Sequence, residues 1–265
     1  MKLAPARLLE AIAGITRAAG AAVMAVYDTP FAVQGKADQS PVTEADQAAE
    51  RLILAALQAL APDIPVVAEE AVAAHGLPSL ASLGQRYWLV DPLDGTREFV
   101  NRNGEFTVNI ALIERQQPVL GVVLAPALGD GGGTLWAGGA GLGAWREDAV
   151  GRRAITCRAV PAAGLTVLAS RSHGDAAALD AFLAGQRVAA IANAGSSLKL
   201  CRLAEGAADV YPRFGRTMEW DIAAGHAVLA AAGGSVRTLA GADLAYGKAG
   251  CENPHFVARG LDHAR

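Results

Sequence analysis

Trp88-Leu89-Val90-Asp91-Pro92-Leu93-Asp94-Gly95-Thr96-Arg97-Glu98-Phe99 is the stretch on which the reading of this chain turns. The apolar run from Tyr87 to Val90 predicts a buried strand that delivers Asp91 at its end. Pro92 and Gly95 then impose a turn that returns Asp94, with Thr96 just beyond it. Two carboxylates and a hydroxyl so converge on one small volume. Close carboxylates repel and raise one another's pKa, so the cluster calls for a neutralising cation. An all-oxygen set selects a hard divalent ion such as Mg²⁺, Mn²⁺ or Ca²⁺.

Working outward, short apolar runs between turn residues read as strands at Ile64 to Ala68, Phe106 to Ile113, Val119 to Leu124 and Thr134 to Ala137. The glycine-rich piece from Gly129 to Gly143 lacks the Lys-Ser/Thr ending of a phosphate loop and predicts a tight hairpin with two strands around it. Upstream, apolar positions at helical spacing predict helices over Leu8 to Val26 and from about Glu44 to Ala61, the second with Thr43 as N-cap. Downstream, Leu165 to Ala169, Val188 to Ala192, Asp209 to Tyr211 and Ser235 to Thr238 read as strands. They alternate with helices over Asp175 to Ala184, Ser197 to Glu205 and Asp221 to Ala232, which argues an α/β chain. Two packed lobes are expected, residues 1–150 and 151–265, meeting near Glu147 to Cys157.

Further acids stand at strand ends and helix starts: Glu69 and Glu70 after Ala68, and Asp221 after Trp220. Taken singly, Asp94 and Asp221 read as turn or N-cap residues and Glu69-Glu70 as a surface pair. Their joint occurrence points to a site.

The 265 residues, 52% of them hydrophobic and 18% charged, can bury a large core and exclude a disordered tail protein. A net charge of −3 gives no basic field for a nucleic acid polymer, so phosphate recognition must be local. Uncharged runs such as Ile222 to Val236 and Ala71 to Gln85 fall short of the roughly 20 apolar residues of a spanning helix. No transmembrane segment and no secretory signal are expected. Cys157, Cys201 and Cys251 read as buried, reduced thiols.

Asp91-Pro92-Leu93-Asp94-Gly95-Thr96, preceded by Glu69-Glu70 and followed by Trp220-Asp221-Ile222-Ala223-Ala224-Gly225, resembles the inositol monophosphatase superfamily of magnesium-dependent phosphomonoesterases. Within it, Ser40-Pro41-Val42-Thr43-Glu44-Ala45-Asp46, Arg97-Glu98-Phe99, the run Asn103 to Ile113, Ser170-Arg171-Ser172-His173 and Tyr211-Pro212-Arg213-Phe214-Gly215 are similar to bacterial 3'(2'),5'-bisphosphate nucleotidases of the CysQ type. The resemblance covers about Leu8 to Phe256. Ala68 departs from it, since many relatives carry Gly or Ser before the Glu pair.

The resemblance implies a layered αβαβα sandwich of the inositol monophosphatase and fructose-1,6-bisphosphatase type. It implies two or three Mg²⁺ ions, with Mn²⁺ as substitute, held by Glu69, Asp91, the Leu93 carbonyl, Asp94 and Asp221. Asp46 and Thr96 would orient and deprotonate the attacking water, with Glu69 also in the catalytic set. Gly95, Thr96, His173, Ser196, Lys199, Arg213 and Asp221 would contact substrate. Two of these have plainer readings, Lys199 as a solvated helix residue and His173 as a structural loop histidine.

The implied reaction converts adenosine 3',5'-bisphosphate to AMP and phosphate, with 3'-phosphoadenylyl sulfate as a further substrate, Li⁺ as inhibitor and a role in sulfur metabolism. Alternatives are an inositol or sugar phosphate as substrate, oligoribonucleotide ends, or a non-catalytic nucleotide or metal sensor. A monomer or homodimer in the cytoplasm is expected. Family analogy adds peripheral attachment to the cytoplasmic face of the inner membrane, for which the charge pattern offers no basic amphipathic helix.

Overall fold

The structure, a computed structural model, describes residues 3–35, 41–79, 83–129, 131–170 and 175–261. Two helices come first, α1 (Pro5–Tyr27) and α2 (Glu44–Leu60), separated by the small β1 (Gln34–Gly35) and β2 (Pro41–Val42) pair. A seven-stranded sheet follows. Its strands are β3 (Val66–Ala68), β4 (Arg86–Asp94), β5 (Thr107–Glu114), β6 (Gln117–Ala125), β7 (Thr134–Gly139), β8 (Gly143–Asp148) and β9 (Gly151–Ile155), paired in sequence order. Among the described pairs of this sheet, only β3–β4 is parallel. Two short helices, α3 (Glu69–His75) and α4 (Thr96–Val100), leave the ends of β3 and β4.

The second sheet has five strands in the order β11 (Val188–Ala194), β10 (Leu165–Ser170), β12 (Val210–Arg213), β14 (Phe256–Arg259) and β13 (Ser235–Thr238). Three helices serve it: α5 (Ala176–Leu183), α6 (Leu198–Ala204) and α7 (Glu219–Ala231). The first sheet ends at Ile155 and the second begins at Leu165.

Side-chain alternation along the first sheet builds the layers. Trp88, Val90, Ile110, Leu112, Val122 and Leu124 face α1 and α2, joining Leu8, Ile12, Ile53 and Leu57 in one core. Leu89, Ala111, Ile113, Val123 and Trp136 face the other way, onto α6 and α7 and then onto Tyr211, Val236 and Phe256 of the second sheet. Leu165, Val167 and Val210 carry α5 on the far face through Leu179, Phe182 and Leu183. The order is helices, sheet, helices, sheet, helix: the expected αβαβα sandwich.

α7 is apolar around most of its circumference because it lies between two sheets. Its approach to β6 is close. A Cβ on Gly121 would lie 2.3 Å from the Ala224 carbonyl oxygen, so only glycine fits.

α1 is long and apolar enough, by length and composition, to cross a membrane. Its buried stripe of Leu8, Leu9, Ile12, Ala13, Ala19 and Val23 packs instead on α2 and the sheet. From α1, Glu10 pairs with Arg152 and Arg17 with Glu147, tying the helix to β8 and β9.

The sequence reading of 129–143 needs correction. One end of it closes the β6–β7 connection, and the hairpin proper joins β7 to β8 through Gly139 to Gly143. All three cysteines are buried free thiols, and burial raises the thiol pKa of each.

Candidate active site

β4 does not stop at Asp91. It continues to Asp94 through an irregularity at Pro92-Leu93, where the register with β5 shifts between the Asp91–Asn109 and Asp94–Thr107 pairs. Proline has no N–H to give to the ladder, so a bulge absorbs it and re-aims the next side chains. The Asp91 carboxylate, 1% exposed, accepts the Leu93 N–H at 3.0 Å and braces the bulge. Gly95 follows with φ of 88°, and a Cβ there would press at 3.3 Å on Glu105, Glu98 and Ser196. That left-handed residue turns the strand directly into α4, whose first residue is Thr96.

The Thr96 hydroxyl lies 3.3 Å from Asp46 Oδ1 and 3.2 Å from the Leu93 carbonyl oxygen. Asp46 belongs to the capping box that starts α2: its Oδ2 accepts the Thr43 N–H and the Thr43 hydroxyl, each at 2.8 Å. Thr43 is the N-cap, as its position in the sequence suggests, and its Oγ1 accepts from the Ala45 N–H at 3.2 Å. The buried Asp46 thus commits one oxygen to the helix and points the other at Thr96.

The starts of α6 and α7 close on this from the other side. Asp94 Oδ2 accepts the Ser197 N–H at 2.7 Å, and the Ser197 hydroxyl donates to the Asp221 carbonyl. Asp221 in turn caps α7, its Oδ2 accepting the Met218 N–H at 2.8 Å. Burial pushes the Asp94 carboxyl up to about 6, against the pull of the Lys199 ammonium and the Ser197 N–H and with the push of Glu69 and Glu98. Burial also holds Asp221 well above the carboxylate range, and Asp94 and Glu69 add to it. Glu69, Asp94 and Asp221 therefore feel one another's charge although they come from three separate elements, α3, β4 and α7.

Among the described residues, no three acid, thiol or imidazole side chains are already gathered at cation-binding separation. The donor types are nonetheless carboxylates and a carbonyl, without sulfur or imidazole, and that chemistry fits a hard divalent cation.

Asp94, Gly95, Thr96, Ser196, Lys199, Arg213 and Asp221 line one cavity of about 260 Å³. Glu69 lines the adjoining cavity, and Asp221 borders both. Asp46, Asp91 and Leu93 line neither cavity; Asp46 and the Leu93 carbonyl meet Thr96 by hydrogen bonds, and Asp91 braces Leu93 from β4. Ser196 adopts φ of 42°, and its buried hydroxyl has no hydrogen-bond partner among the described residues. Lys199 is no solvated face residue: it is 6% exposed, with its ammonium donating to the Ala194 and Ser196 carbonyls at 3.1 and 2.8 Å. Arg213 donates to the Ser170 hydroxyl, and to the Arg216 carbonyl at 2.8 Å. His173 lies outside the described residues.

Two contributors escaped the sequence reading. Glu50, buried one helical turn after Asp46, accepts the Glu70 N–H at 2.8 Å and so holds the start of α3, where Glu69 sits. Its spacing of four from Asp46 on one helix face was the available signal. Glu105 accepts the Gly195 N–H at 2.9 Å and fixes the approach to Ser196; it lies in the run Asn103 to Ile113 that carries the resemblance, but nothing in that run assigns it a role.

A helix-sheet-helix-sheet-helix sandwich with acids converging between its sheets defines a class, and the chain belongs to it: residues 5–263 match the Inositol monophosphatase family. Within that family the chain is 47% identical to the 3'(2'),5'-bisphosphate nucleotidase CysQ of Escherichia coli strain K12, over 90% of this chain and 94% of that one. It is 48% identical to the protein of that name in Shigella flexneri over the same shares. Its fold is similar to the crystal structure of CysQ from Bacteroides thetaiotaomicron, with a TM-score of 0.80 at 34% identity, covering 97% of this chain and 98% of the other. It is also similar to a Thermotoga maritima inositol monophosphatase, with a TM-score of 0.73 at 26% identity, over 93% and 89% of the two chains.

Proposed function

We propose that this chain is a Mg²⁺-dependent 3'(2'),5'-bisphosphate nucleotidase that converts adenosine 3',5'-bisphosphate to AMP and phosphate and also accepts 3'-phosphoadenylyl sulfate. The observation that carries the reading is the Thr96 hydroxyl held between Asp46 and the Leu93 carbonyl on the wall that Asp94 and Asp221 share. The near-half identity to relatives of that name supports the substrate class.

In this reading Glu69, Asp91, the Leu93 carbonyl, Asp94 and Asp221 would hold two or three Mg²⁺ ions. Bound there, the ions would acidify a water and neutralise charge on the phosphoryl oxygens. Thr96 receives the water at its oxygen while directing its own proton to Asp46 Oδ1. As the water attacks phosphorus and the bond to the ester 3'-oxygen breaks, a proton passes from the water to Thr96 and that of Thr96 passes to Asp46, while the departing 3'-oxygen takes up a proton from solvent water. Asp46 is prepared to accept because its other oxygen is saturated by Thr43. Ser196, Lys199 and Arg213 contribute the second-lobe wall against which the nucleotide lies, with Gly95 giving close backbone approach. Li⁺ should compete for the acidic cluster and inhibit.

The test is phosphate release with Mg²⁺ from adenosine 3',5'-bisphosphate, inositol 1-phosphate and fructose 1,6-bisphosphate, each with and without Li⁺. Preference for the nucleotide with loss of activity in Li⁺ is expected. Preference for an inositol or sugar phosphate would overturn the substrate class and leave the acidic centre. Asp94→Asn should abolish turnover while leaving the fold intact, and near-normal activity in it would sink the site assignment.

A further inference from the structure

A bisphosphate nucleotide has one phosphate that reacts and a second that must be recognised without reacting. Resting on the nucleotidase reading, we propose that Arg216 is the specificity-determining residue that grips the second phosphate, and that Glu252 is its displaceable counter-ion.

Among the described residues, four cations line the cavity: Arg97, Lys199, Arg213 and Arg216. Arg97 follows Thr96 on α4, on the reacting side. The Lys199 ammonium and the two terminal nitrogens of Arg213 donate to protein carbonyls and to Ser170, so these two side chains shape the wall. Arg216 differs. Its side chain is 61% exposed and, among the described residues, meets a similarly exposed carboxylate, Glu252, at 3.2 Å. Such a pair contributes little, and a phosphate, with more charge and a geometry that takes two parallel N–H donors, displaces a carboxylate from it.

The backbone that carries this side chain is held firmly. Arg213 donates to the Arg216 carbonyl, the Asn253 N–H to the Thr217 carbonyl at 2.9 Å, and the Asn253 amide to the Met218 carbonyl at 2.7 Å. Met218 also bridges to Glu252 across the strap. Arg216 is therefore a mobile charge on a rigid mount. It stands on the border shared by the substrate cavity and the cavity of Glu69, together with Asp221.

The test compares kcat/KM for adenosine 3',5'-bisphosphate with kcat/KM for adenosine 3'-monophosphate, which offers the same reacting ester without the second phosphate. The wild type should favour the bisphosphate. Arg216→Ala should lower that preference by roughly tenfold or more, as loss of a charge-assisted contact implies, through KM. Arg216→Lys should restore part of it, and Glu252→Gln should hold the preference at or above the wild-type value. A preference in Arg216→Ala within about twofold of wild type would overturn the inference and leave the nucleotidase reading standing. A fall in Glu252→Gln matching that of Arg216→Ala would overturn it too, by making the pair a structural clasp. Absence of any wild-type preference for the bisphosphate would remove the reading and the inference together.

Discussion

Thr96 has a single hydroxyl proton and two acceptors within reach, the Asp46 carboxylate and the Leu93 carbonyl. A carboxylate is the stronger acceptor, and Thr43 has already fixed which of its oxygens faces Thr96. Loss of this hydroxyl should remove proton transfer from the attacking water and little else. Thr96→Ala is expected to lower kcat by about 10²–10⁴-fold with KM close to wild type, and Thr96→Ser to keep most of the rate. Steady-state kinetics of both variants check it; a serine variant as slow as alanine would show that the methyl packing mattered and not the proton. At this scale Thr96, Asp94 and Asp91 were legible because a proline, a glycine and two acids cannot be accommodated in a buried strand end without a purpose. Lys199 shows the limit of such reading. Its burial and its two carbonyl partners depend on Ala194 and Ser196 sitting where β11 meets α6, which no spacing rule conveys.

The elements were read best where burial imposed a single period. β4, β5 and β6 are apolar on both faces and stand out as runs, and β13 spans the four residues expected of it. β8 and β9 do not stand out: they carry Arg146, Glu147, Asp148, Arg152 and Arg153, cross-linked by ion pairs at the exposed end of the sheet. β14 is four residues long, and its place between β12 and β13 is a tertiary fact. α7 yields a prediction of its own. His226 is buried within it, with Nδ1 2.9 Å from the Tyr246 hydroxyl, and burial lowers its pKa from 6.5 to about 4. The unfolded chain binds that proton near pH 6.5 and the folded chain only near 4, so the unfolded state holds more protons between them. Stability should therefore fall as pH drops through that window, by up to about 3 kcal/mol from this group. His226→Gln, which stays uncharged, should show a flatter loss of melting temperature from pH 7 to pH 4 than wild type; parallel curves would refute the assignment.

On the scale of the whole molecule, the acidic centre is a joint. Glu69, Asp91 and Asp94 come from the first sheet and its connections, while Asp221 starts the helix packed between the sheets and Ser197 starts its neighbour. A chain that gathers these acids pays in repulsion, visible in the raised Asp94 and Asp221 carboxyls. A divalent cation bound among them would reverse that repulsion in the folded state alone, because the unfolded chain scatters the same residues over more than 150 positions of sequence. Linkage then turns binding into stability, about 2.7 kcal/mol when the ion is present at 100 times its dissociation constant. For a chain of this size each kcal/mol moves the melting temperature by roughly 2–4 °C, so saturation with Mg²⁺ should raise it by at least about 5 °C over an EDTA-treated sample. Asp221→Asn should abolish most of that shift, since it removes the donor contributed from α7. It should also raise the melting temperature measured in EDTA, since one of the repelling charges has gone while its amide oxygen can still accept the Met218 N–H. Thermal melts of wild type and variant, each with Mg²⁺ and with EDTA, separate the two effects. A wild-type melting temperature indifferent to Mg²⁺ would mean that the acids do not bind the ion as a set.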